Sequence, residues 1–188
     1  MKALDTNYNG YRFRSRLEAR WAVFMDAIGV KYEYEREAYD LDGLFYLPDF
    51  YLPQINAHLE IKNDRPTEDE FEKASRLSRL TKVPTYIVFG QPEMPWSNNL
   101  PSSESAQKIQ WEEINGLEVC TTDYSYWWCE CPHCNRCELH FNGRADRIAC
   151  GCQKSEHGDK GYNFDSSRLL AAYNKARGYR FDPKGVNV

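Results

Sequence analysis

Leu47-Pro48-Asp49-Phe50 and Leu59-Glu60-Ile61-Lys62 are the two segments that decide the fold prediction. We expect each at the end of a β-strand, so that together they supply two carboxylates and an amine. Alternate side chains of a strand face opposite sides of the sheet, so Glu60 and Lys62 should share a face while Ile61 points into the core. Hard divalent cations such as Mg²⁺ are usually bound by one or two carboxylates with water and phosphate oxygens. The two segments therefore predict a divalent-cation site with an amine beside it.

The composition of the 188-residue chain predicts one medium domain, or a compact domain with a smaller appendage. Its 41% of hydrophobic residues suffices for a core, and no apolar run approaches the ~20 residues of a membrane helix. Residues 1–5 lack the apolar region of a signal peptide. We therefore expect a cytoplasmic protein without membrane contact. The formal net charge of −4 gives no global attraction to nucleic acid, so any such binding has to come from local basic patches.

Hydrophobic periodicity in the first half of the chain predicts the element order α-β-β-β-α-β. The expected helices cover residues 15–28 and 68–81, and the expected strands cover residues 31–36, 45–52, 57–62 and 84–90. Further along, Trp111 to Cys120 predicts another strand, and residues 166–179 predict a C-terminal helix.

Composition shifts divide the chain into four predicted parts. Residues 1–92 form the core domain. Residues 93–110 are rich in Pro, Ser, Asn and Gln without a period, which predicts a linker or exposed loop. Residues 111–160 carry all seven cysteines and should form a small metal-bound subdomain, and residues 161–188 form the C-terminal helix and tail.

Glu18 completes the candidate cation site in the functional interpretation. It lies at the edge of the apolar stripe of the first predicted helix, so its carboxylate could lean toward the metal. A structural interpretation is equally specific, because Ser15-x-x-Glu18 fits a capping box. Asp49 could likewise be a strand-edge carboxylate, and Glu60 with Lys62 a solvated strand face. The combination of a helical Glu, then Pro-Asp, then Glu-x-Lys in one element order favours the functional interpretation.

On these residues, the first half of the chain resembles the PD-(D/E)XK nuclease superfamily. The resemblance rests on Glu18, Pro48-Asp49, Glu60-Ile61-Lys62 and the element order, and segments 13–21 and 46–52 are similar to small phage and bacterial proteins of this type. It implies an α/β (α+β) fold with a restriction-endonuclease-like αβββαβ core, joined here to a small zinc ribbon and a C-terminal helix. It also implies a metal-dependent endonuclease of phage or mobile-element type, which hydrolyses phosphodiester bonds in DNA.

The resemblance implies a role for each site residue. Asp49 and Glu60 would bind catalytic Mg²⁺ or Mn²⁺, with the carbonyl of Ile61 as a further ligand. Glu18 would support the metal or orient its water. Lys62 would position the attacking water and help to deprotonate it. A metal that lowers the pKa of its water and neutralises developing charge suits in-line hydrolysis.

A dense basic patch flanks Glu18 and predicts contacts with DNA phosphates. The patch consists of Arg12, Arg14, Arg16 and Arg20. A second group, made of Lys73, Arg76 and Arg79, fits either the phosphate backbone or a solvated helix face balanced by acidic neighbours. DNA is thus the expected partner, and a homodimer is compatible with this function because two strands need two active sites.

The cysteines predict a bound metal, because disulfides are rare in a reducing cytoplasm. Cys131, Cys134, Cys150 and Cys152 form two close pairs separated by fifteen residues, which suits a hairpin and a structural Zn²⁺. An iron–sulfur cluster is the alternative. Spare candidate ligands are Cys129, Cys137, His133, His140 and His157. Cys120, far from these pairs, is expected to be an ordinary buried thiol.

Two other functional classes remain open. A non-catalytic factor with the same fold could bind nucleic acid or a protein, as a phage anti-host or anti-defence protein would. The acidic net charge favours this class, whereas the intact set of Glu18, Asp49, Glu60 and Lys62 favours the nuclease. A regulator in which the zinc ribbon is the working part is a third possibility.

Overall fold

The computed structural model describes residues 4–94, 106–114, 117–141, 150, 152 and 164–181, and these residues adopt a mixed α+β fold. The helices are α1 (Arg16–Ile28), α2 (Glu68–Thr81) and α3 (Ser167–Gly178). The strands are β1 (Thr6–Tyr8), β2 (Tyr11–Phe13), β3 (Glu33–Tyr34), β4 (Tyr39–Asp40), β5 (Phe45–Tyr46), β6 (Phe50–Leu52), β7 (Ala57–Lys62), β8 (Thr85–Phe89), β9 (Ala106–Ile114), β10 (Leu117–Glu130) and β11 (Cys137–Phe141).

A seven-stranded mixed sheet forms the centre of the molecule, in the order β11-β10-β9-β8-β7-β6-β3. Only the β7–β8 pair of this sheet is parallel; the other pairs are antiparallel. Helix α2 makes the crossover between the two parallel strands, which cannot be joined by a tight turn. Two short hairpins, β1–β2 and β4–β5, lie outside this sheet.

Helix α1 shows why its sequence boundaries could be predicted. The Ser15 hydroxyl accepts the amide of Glu18 at 3.1 Å, which caps the first turn. Gly29 ends the helix in the left-handed region with φ of 72°, where a side chain would be strained. On the buried face, Phe24 stacks on Tyr173 of α3 with ring centroids 4.4 Å apart. The cap, the stop signal and the apolar stripe thus agree.

The two faces of the sheet have different partners, which places the candidate site residues. Leu59 and Ile61 of β7 join the large core beneath α1 and α3. On the other face, Ile87 of β8 packs with Ala74 of α2. Glu60 is the register partner of Ile87 and so belongs to the face covered by α2.

Several predicted elements have the expected bounds and others do not. The strand 57–62 and the helices 68–81 and 166–179 are confirmed to within a residue. The strand predicted over 31–36 is reduced to β3, and that over 45–52 is split into β5 and β6. The split occurs around Pro48, which has no N–H for a ladder hydrogen bond.

The prediction of a single strand from Trp111 to Cys120 was wrong. The chain reverses between Ile114 at the end of β9 and Leu117 at the start of β10, and the two strands pair antiparallel. Of the predicted linker 93–110, residues 106–110 belong to β9, whereas residues 95–105 lie outside the described part of the chain.

The strands of the predicted zinc ribbon 111–160 are continuous with the core sheet. Strand β9 pairs with β8, and β10 and β11 follow beyond it, so hydrogen bonding crosses the predicted domain boundary. In the described part of the chain, none of the helices has the length and apolar character needed to cross a membrane.

Candidate functional site

Asp49 and Glu60 come together where β6 stops pairing with β7. The register that pairs Phe50 with Leu59 would place Pro48 opposite Ile61, but Pro48 cannot donate a ladder hydrogen bond. Instead, Asp49 Oδ2 accepts the amide of Ile61 at 2.8 Å. In return, the amide of Asp49 donates to Glu60 Oε1 at 3.2 Å. One oxygen of each carboxylate is therefore held by a backbone amide.

The second oxygen of each carboxylate faces a cationic side chain. Asp49 Oδ1 is 2.9 Å from Nη2 of Arg14, and Glu60 Oε2 is 3.2 Å from Nζ of Lys62. The side chains of Asp49 and Glu60 are only 6% and 2% exposed. Each carboxylate of this buried pair therefore has one oxygen on a backbone amide and the other on a cationic side chain.

The burial of this pair perturbs the protonation of its members. Burial, and then repulsion from Glu60 and Glu18, holds the pKa of Asp49 well above its ordinary range, although the Ile61 amide and Lys62 offset part of this. For Lys62, burial opposes the charged form, but the carboxylates of Glu60 and Asp49 outweigh it and raise its pKa. Lys62 is therefore a cation at neutral pH.

A third oxygen ligand is available from the backbone of β7. The Ile61 amide points toward Asp49, and the carbonyl of a strand residue points to the same side as its amide. Pro48, which the register places there, has no N–H to offer that carbonyl. Two carboxylates and one carbonyl are hard oxygen donors, so the residues present fit Mg²⁺ or Mn²⁺.

Glu18 contacts the N-cap residue Ser15, as the capping-box spacing predicted, but its carboxylate accepts a different backbone amide from the one expected. Its Oε1 accepts the Ser15 hydroxyl at 2.7 Å. Its Oε2 accepts the Tyr34 hydroxyl at 2.6 Å and the amide of Arg14, rather than that of Ser15, at 3.2 Å. Glu18 still raises the pKa of Asp49. It is thus an electrostatic neighbour of the carboxylate pair as well as a cap.

The carboxylates of Glu18, Asp49 and Glu60 do not form one compact cluster. Among the described residues, only the four cysteines bring three or more potential ligand atoms within 4.8 Å of one another. Glu18 belongs to α1, on the opposite side of the sheet from the face that Glu60 shares with α2. Its carboxylate is turned toward Tyr34, so the contacts of Glu18 favour the supporting role.

The four arginines of the predicted basic patch have different surroundings. Arg14 lies inside the carboxylate site. Arg12 is exposed and pairs with Asp5, and Arg16 is exposed on the first turn of α1. Arg20 donates to the Gln91 side chain at 2.7 Å. Arg12, Arg14 and Arg16 are thus exposed members of the patch, and of these Arg14 is the one that contacts the carboxylate pair.

The second basic group is balanced by acidic neighbours. Arg76 pairs with Glu72 one turn earlier on α2, at 2.8 Å. Arg79 pairs with Glu118 of β10 at 2.7 Å and lies over the ring of Trp111. For Arg76 and Arg79 the solvated helix face is therefore the better description.

Two side chains at the site were not anticipated from the sequence. Glu70 of α2 lies 3.7 Å from Lys62 and also closes a capping box with Thr67. The Thr-x-x-Glu spacing at 67–70 is a visible signal for the cap but not for the contact with Lys62. The Tyr46 hydroxyl lies close enough to Glu60 that burial, and then the charge of that carboxylate, raise its pKa. Only the path of the β4–β5 hairpin brings Tyr46 there.

The four predicted zinc ligands converge at the turn between β10 and β11. The sulfur of Cys131 lies 3.5 Å from that of Cys152 and 3.6 Å from that of Cys150, and all four thiols are free. Tetrahedral Zn²⁺ with bonds of about 2.3 Å separates its sulfurs by about 3.8 Å. The Cys150 and Cys152 sulfurs, at 2.9 Å, are closer than that. Hydrogen bonding from Cys152 lowers the pKa of Cys150 to about 7, which favours a thiolate. These cysteines can bind a metal such as zinc.

The spare candidates lie outside this group of four sulfurs. Cys129 and Cys137 are buried, and their thiols contact the carbonyls of Glu138 and Asn135. His140 faces Glu138 at 3.9 Å, and His133 is exposed. His157 lies outside the described residues. Cys120, expected to be a buried thiol, is only half-buried and lies 3.8 Å from the Ser75 hydroxyl.

Arg168 of α3 connects the cysteine turn to the rest of the fold. Its Nη1 donates to Glu130 Oε1 at 2.9 Å and to the carbonyl of Asn135 at 2.5 Å. Its Nη2 donates to the carbonyl of Ile28, at the end of α1. One guanidinium thus joins α1, α3 and the turn that carries Cys131 and Cys134.

A groove of about 590 Å³ lies elsewhere, between α2, the β4–β5 hairpin and β9–β10. Its lining includes the paired side chains Arg76, Arg79 and Glu118 but none of the carboxylate-site residues.

Comparison with known proteins gives no match: no family model, no curated protein and no solved structure is similar to this chain. The case for any activity therefore rests on the geometry of its own residues.

Proposed function

We propose that the protein is a metal-dependent nuclease that hydrolyses phosphodiester bonds in DNA, of the PD-(D/E)XK type. One observation carries the proposal. The amide of Asp49 bonds to the Glu60 carboxylate, the amide of Ile61 bonds to the Asp49 carboxylate, and Lys62 lies 3.2 Å from Glu60. A Pro-Asp before one strand and a Glu-x-Lys at the end of the next are the features on which the resemblance rests. The order α1, β3, β6, β7, α2, β8 also supports a restriction-endonuclease-like core.

In this proposal the carboxylates bind the metal, and the lysine acts on the attacking water and the phosphate. Asp49 and Glu60, with the carbonyl of Ile61, would hold Mg²⁺ or Mn²⁺. When bound, the metal would activate water and neutralise charge on the phosphate. Lys62 is kept in place between Glu60 and Glu70, where its ammonium can orient the water and stabilise negative charge. Glu18 would support the site from α1.

The surroundings of Lys62 also bear on whether it can act as a base. Its pKa is raised by the carboxylates, so in the free protein it holds its proton. Neutralising Asp49 and Glu60 would remove the larger part of that stabilisation and leave burial, which lowers the pKa of a lysine, opposed by Glu70. Proton transfer to Lys62 would therefore depend on the carboxylates being occupied.

We assign a structural role to the cysteine cluster. Four thiolates leave no open coordination position for a substrate, so Zn²⁺ bound there would stabilise the β10–β11 turn rather than take part in catalysis. Through Arg168 the same turn is connected to α1, which carries Glu18.

One observation favours the non-catalytic alternative. Arg14 and Lys62 already form ion pairs with the two carboxylates, and Arg14 is further held by Glu35. Carboxylates that have cationic partners within the protein do not require a metal as a counter-ion, so the same site could serve a protein that only binds nucleic acid or a host protein.

Cleavage assays would separate the two functions. Supercoiled, linear, single-stranded and branched DNA would be incubated with the wild type and with Lys62→Ala, in Mg²⁺, in Mn²⁺ and without either. We expect cutting that requires the metal and Lys62. Arg76→Ala is the matched control, because it removes an exposed cation already paired on α2. Folded, zinc-loaded protein that cuts none of the four substrates would favour the binding protein.

A further inference from the structure

Arg14 occupies a junction between three parts of the site. It lies between the end of β2 and the cap of α1, and its own amide donates to Tyr34 at 3.0 Å and to Glu18 at 3.2 Å. Its guanidinium reaches in the other direction, with Nη2 2.9 Å from Asp49 Oδ1 and Nε 2.5 Å from Glu35 Oε1. The backbone of Arg14 is thus fixed, while its charged group spans two carboxylates.

The contact with Asp49 involves the one oxygen that remains for a metal. Asp49 Oδ2 is engaged by the amide of Ile61 at 2.8 Å. Oδ1 is therefore the atom that would turn toward a divalent cation, and it is the atom bonded to Arg14. A guanidinium and a metal ion in direct contact with the same oxygen would repel each other at short range.

The two cations of the site differ in their access to solvent. The Arg14 side chain is 55% exposed, whereas that of Lys62 is 23% exposed. A guanidinium presents a planar fork of donors that matches a phosphate group. Arg14 can thus exchange a carboxylate for an incoming phosphate, whereas Lys62 is held between Glu60 and Glu70.

We propose that Arg14 is a positioning residue that occupies Asp49 Oδ1 in the free protein and leaves it for the substrate phosphate, so that metal binding and substrate binding are coupled. This inference rests on the proposed nuclease function, since it takes Asp49 to be a metal ligand and a phosphodiester to be the substrate. Metal affinity is then low without substrate and rises with it, and by linkage the metal strengthens substrate binding by the same factor.

The test measures Mn²⁺ binding to the zinc-loaded full chain without DNA, by electron paramagnetic resonance and calorimetry. Arg14→Gln removes the competing charge, and we expect it to bind Mn²⁺ on the order of tenfold more tightly than the wild type. Arg14→Lys keeps the charge but not the fork, so its affinity should fall between the two. Arg16→Gln, an exposed neighbour two residues away, is the matched control and should bind like the wild type.

Each result decides the inference. Tighter binding by Arg14→Gln alone supports it, whether or not a DNA substrate has been found. Equal affinities in the wild type and Arg14→Gln would overturn it while leaving any observed cleavage, and so the nuclease, intact. Failure of every variant to bind Mn²⁺ would overturn both the inference and the metal-dependent function. If Arg14→Gln does not fold, equal binding by Arg14→Lys and the wild type would be the contrary result.

Discussion

Asp49 and Glu60 orient each other through the backbone of the neighbouring strand. The amide of Asp49 donates to Glu60 Oε1, and the amide after Glu60, that of Ile61, donates to Asp49 Oδ2. The orientation of both carboxylates is therefore set before any ligand binds. The arrangement has an energetic cost, because it holds two like charges together in a buried site, and Arg14 and Lys62 offset that cost only in part.

That cost predicts that Asp49→Asn stabilises the metal-free site at neutral pH. A carboxyl whose pKa is raised by folding destabilises the folded state increasingly as pH rises from its ordinary value of 3.8 through the folded value. Removing the charge should therefore raise the unfolding free energy at pH 8. The gain should shrink toward pH 4. Urea unfolding of zinc-loaded protein in magnesium-free buffer would measure it.

Glu72→Gln is the control for this experiment, since Glu72 is an exposed carboxylate paired on the surface of α2. Its unfolding free energy should change by a few tenths of a kcal/mol at most. An Asp49→Asn protein that is less stable than wild type at both pH 4 and pH 8 would contradict the electrostatic account of the site.

Variants of Glu18 can distinguish a role in capping α1 from a role in supporting the proposed metal site. Glu18→Ala leaves the Tyr34 hydroxyl without its acceptor and removes one of the two acceptors of the Arg14 amide, so it should cost about 1–3 kcal/mol of stability. If Glu18 supports metal binding only through its electrostatic effect on Asp49, Glu18→Gln should weaken Mn²⁺ binding severalfold without abolishing it. Complete loss of Mn²⁺ binding by Glu18→Gln would instead make Glu18 a direct ligand. Ser15→Ala serves as the comparison that weakens the cap alone.

Metal removal should destabilise the protein through the β10–β11 turn. The four thiols can hold one zinc ion, so elemental analysis should give one zinc per chain. Cys131→Ser should lose the metal and lower the melting temperature, because metal binding at such a site contributes directly to folding. Cys120→Ser should keep zinc, since Cys120 lies outside the cluster. Full zinc content in Cys131→Ser would exclude Cys131 as a ligand.

Arg168 should be important for stability because it bonds to acceptors in three different segments, among them the buried carboxylate of Glu130. Arg168→Met leaves Glu130, only 5% exposed, with its ion pair to Arg168 broken. We expect a loss of about 1–3 kcal/mol, which is typical of removing hydrogen bonds to a charged group. Adding Glu130→Gln should restore part of that loss by removing the buried charge, and thermal unfolding of the single and double variants would show whether it does. No recovery in the double variant would mean that the carbonyls of Ile28 and Asn135 dominate.

The exposed arginines predict a salt-dependent affinity for DNA. Arg12→Ala with Arg16→Ala should lower the slope of log affinity against log salt by about 0.9 for each duplex phosphate that is no longer neutralised. Arg76→Ala should leave the slope unchanged, because Arg76 lines the groove beside α2, which contains none of the carboxylate-site residues. Fluorescence anisotropy in Ca²⁺ over a range of salt concentrations would provide the slopes. Identical slopes in all proteins would place the phosphate-binding residues elsewhere.

Local sequence determined the elements whose signals lie within a few residues. The Ser15 cap and Gly29 stop set α1, and the spacing of apolar residues set α2 and α3. The two-residue Asn9-Gly10 turn, with φ of 48° and 81°, is an equally local signal for the β1–β2 hairpin, which the predicted element order did not include. The close cysteine pairs likewise indicated which four thiols would meet.

Tertiary structure decided which charged groups meet at the carboxylate site. Pro48 ends the β6–β7 pairing and lets Asp49 bond to Ile61, but the position of Arg14 on Asp49 depends on the packing of α1 against the sheet. Tyr46 and Glu70 reach the site from a hairpin and a helix whose orientations no local pattern encodes. The physical reason is that caps and periodicity act within one or two turns, whereas these contacts join segments brought together by burial of the core.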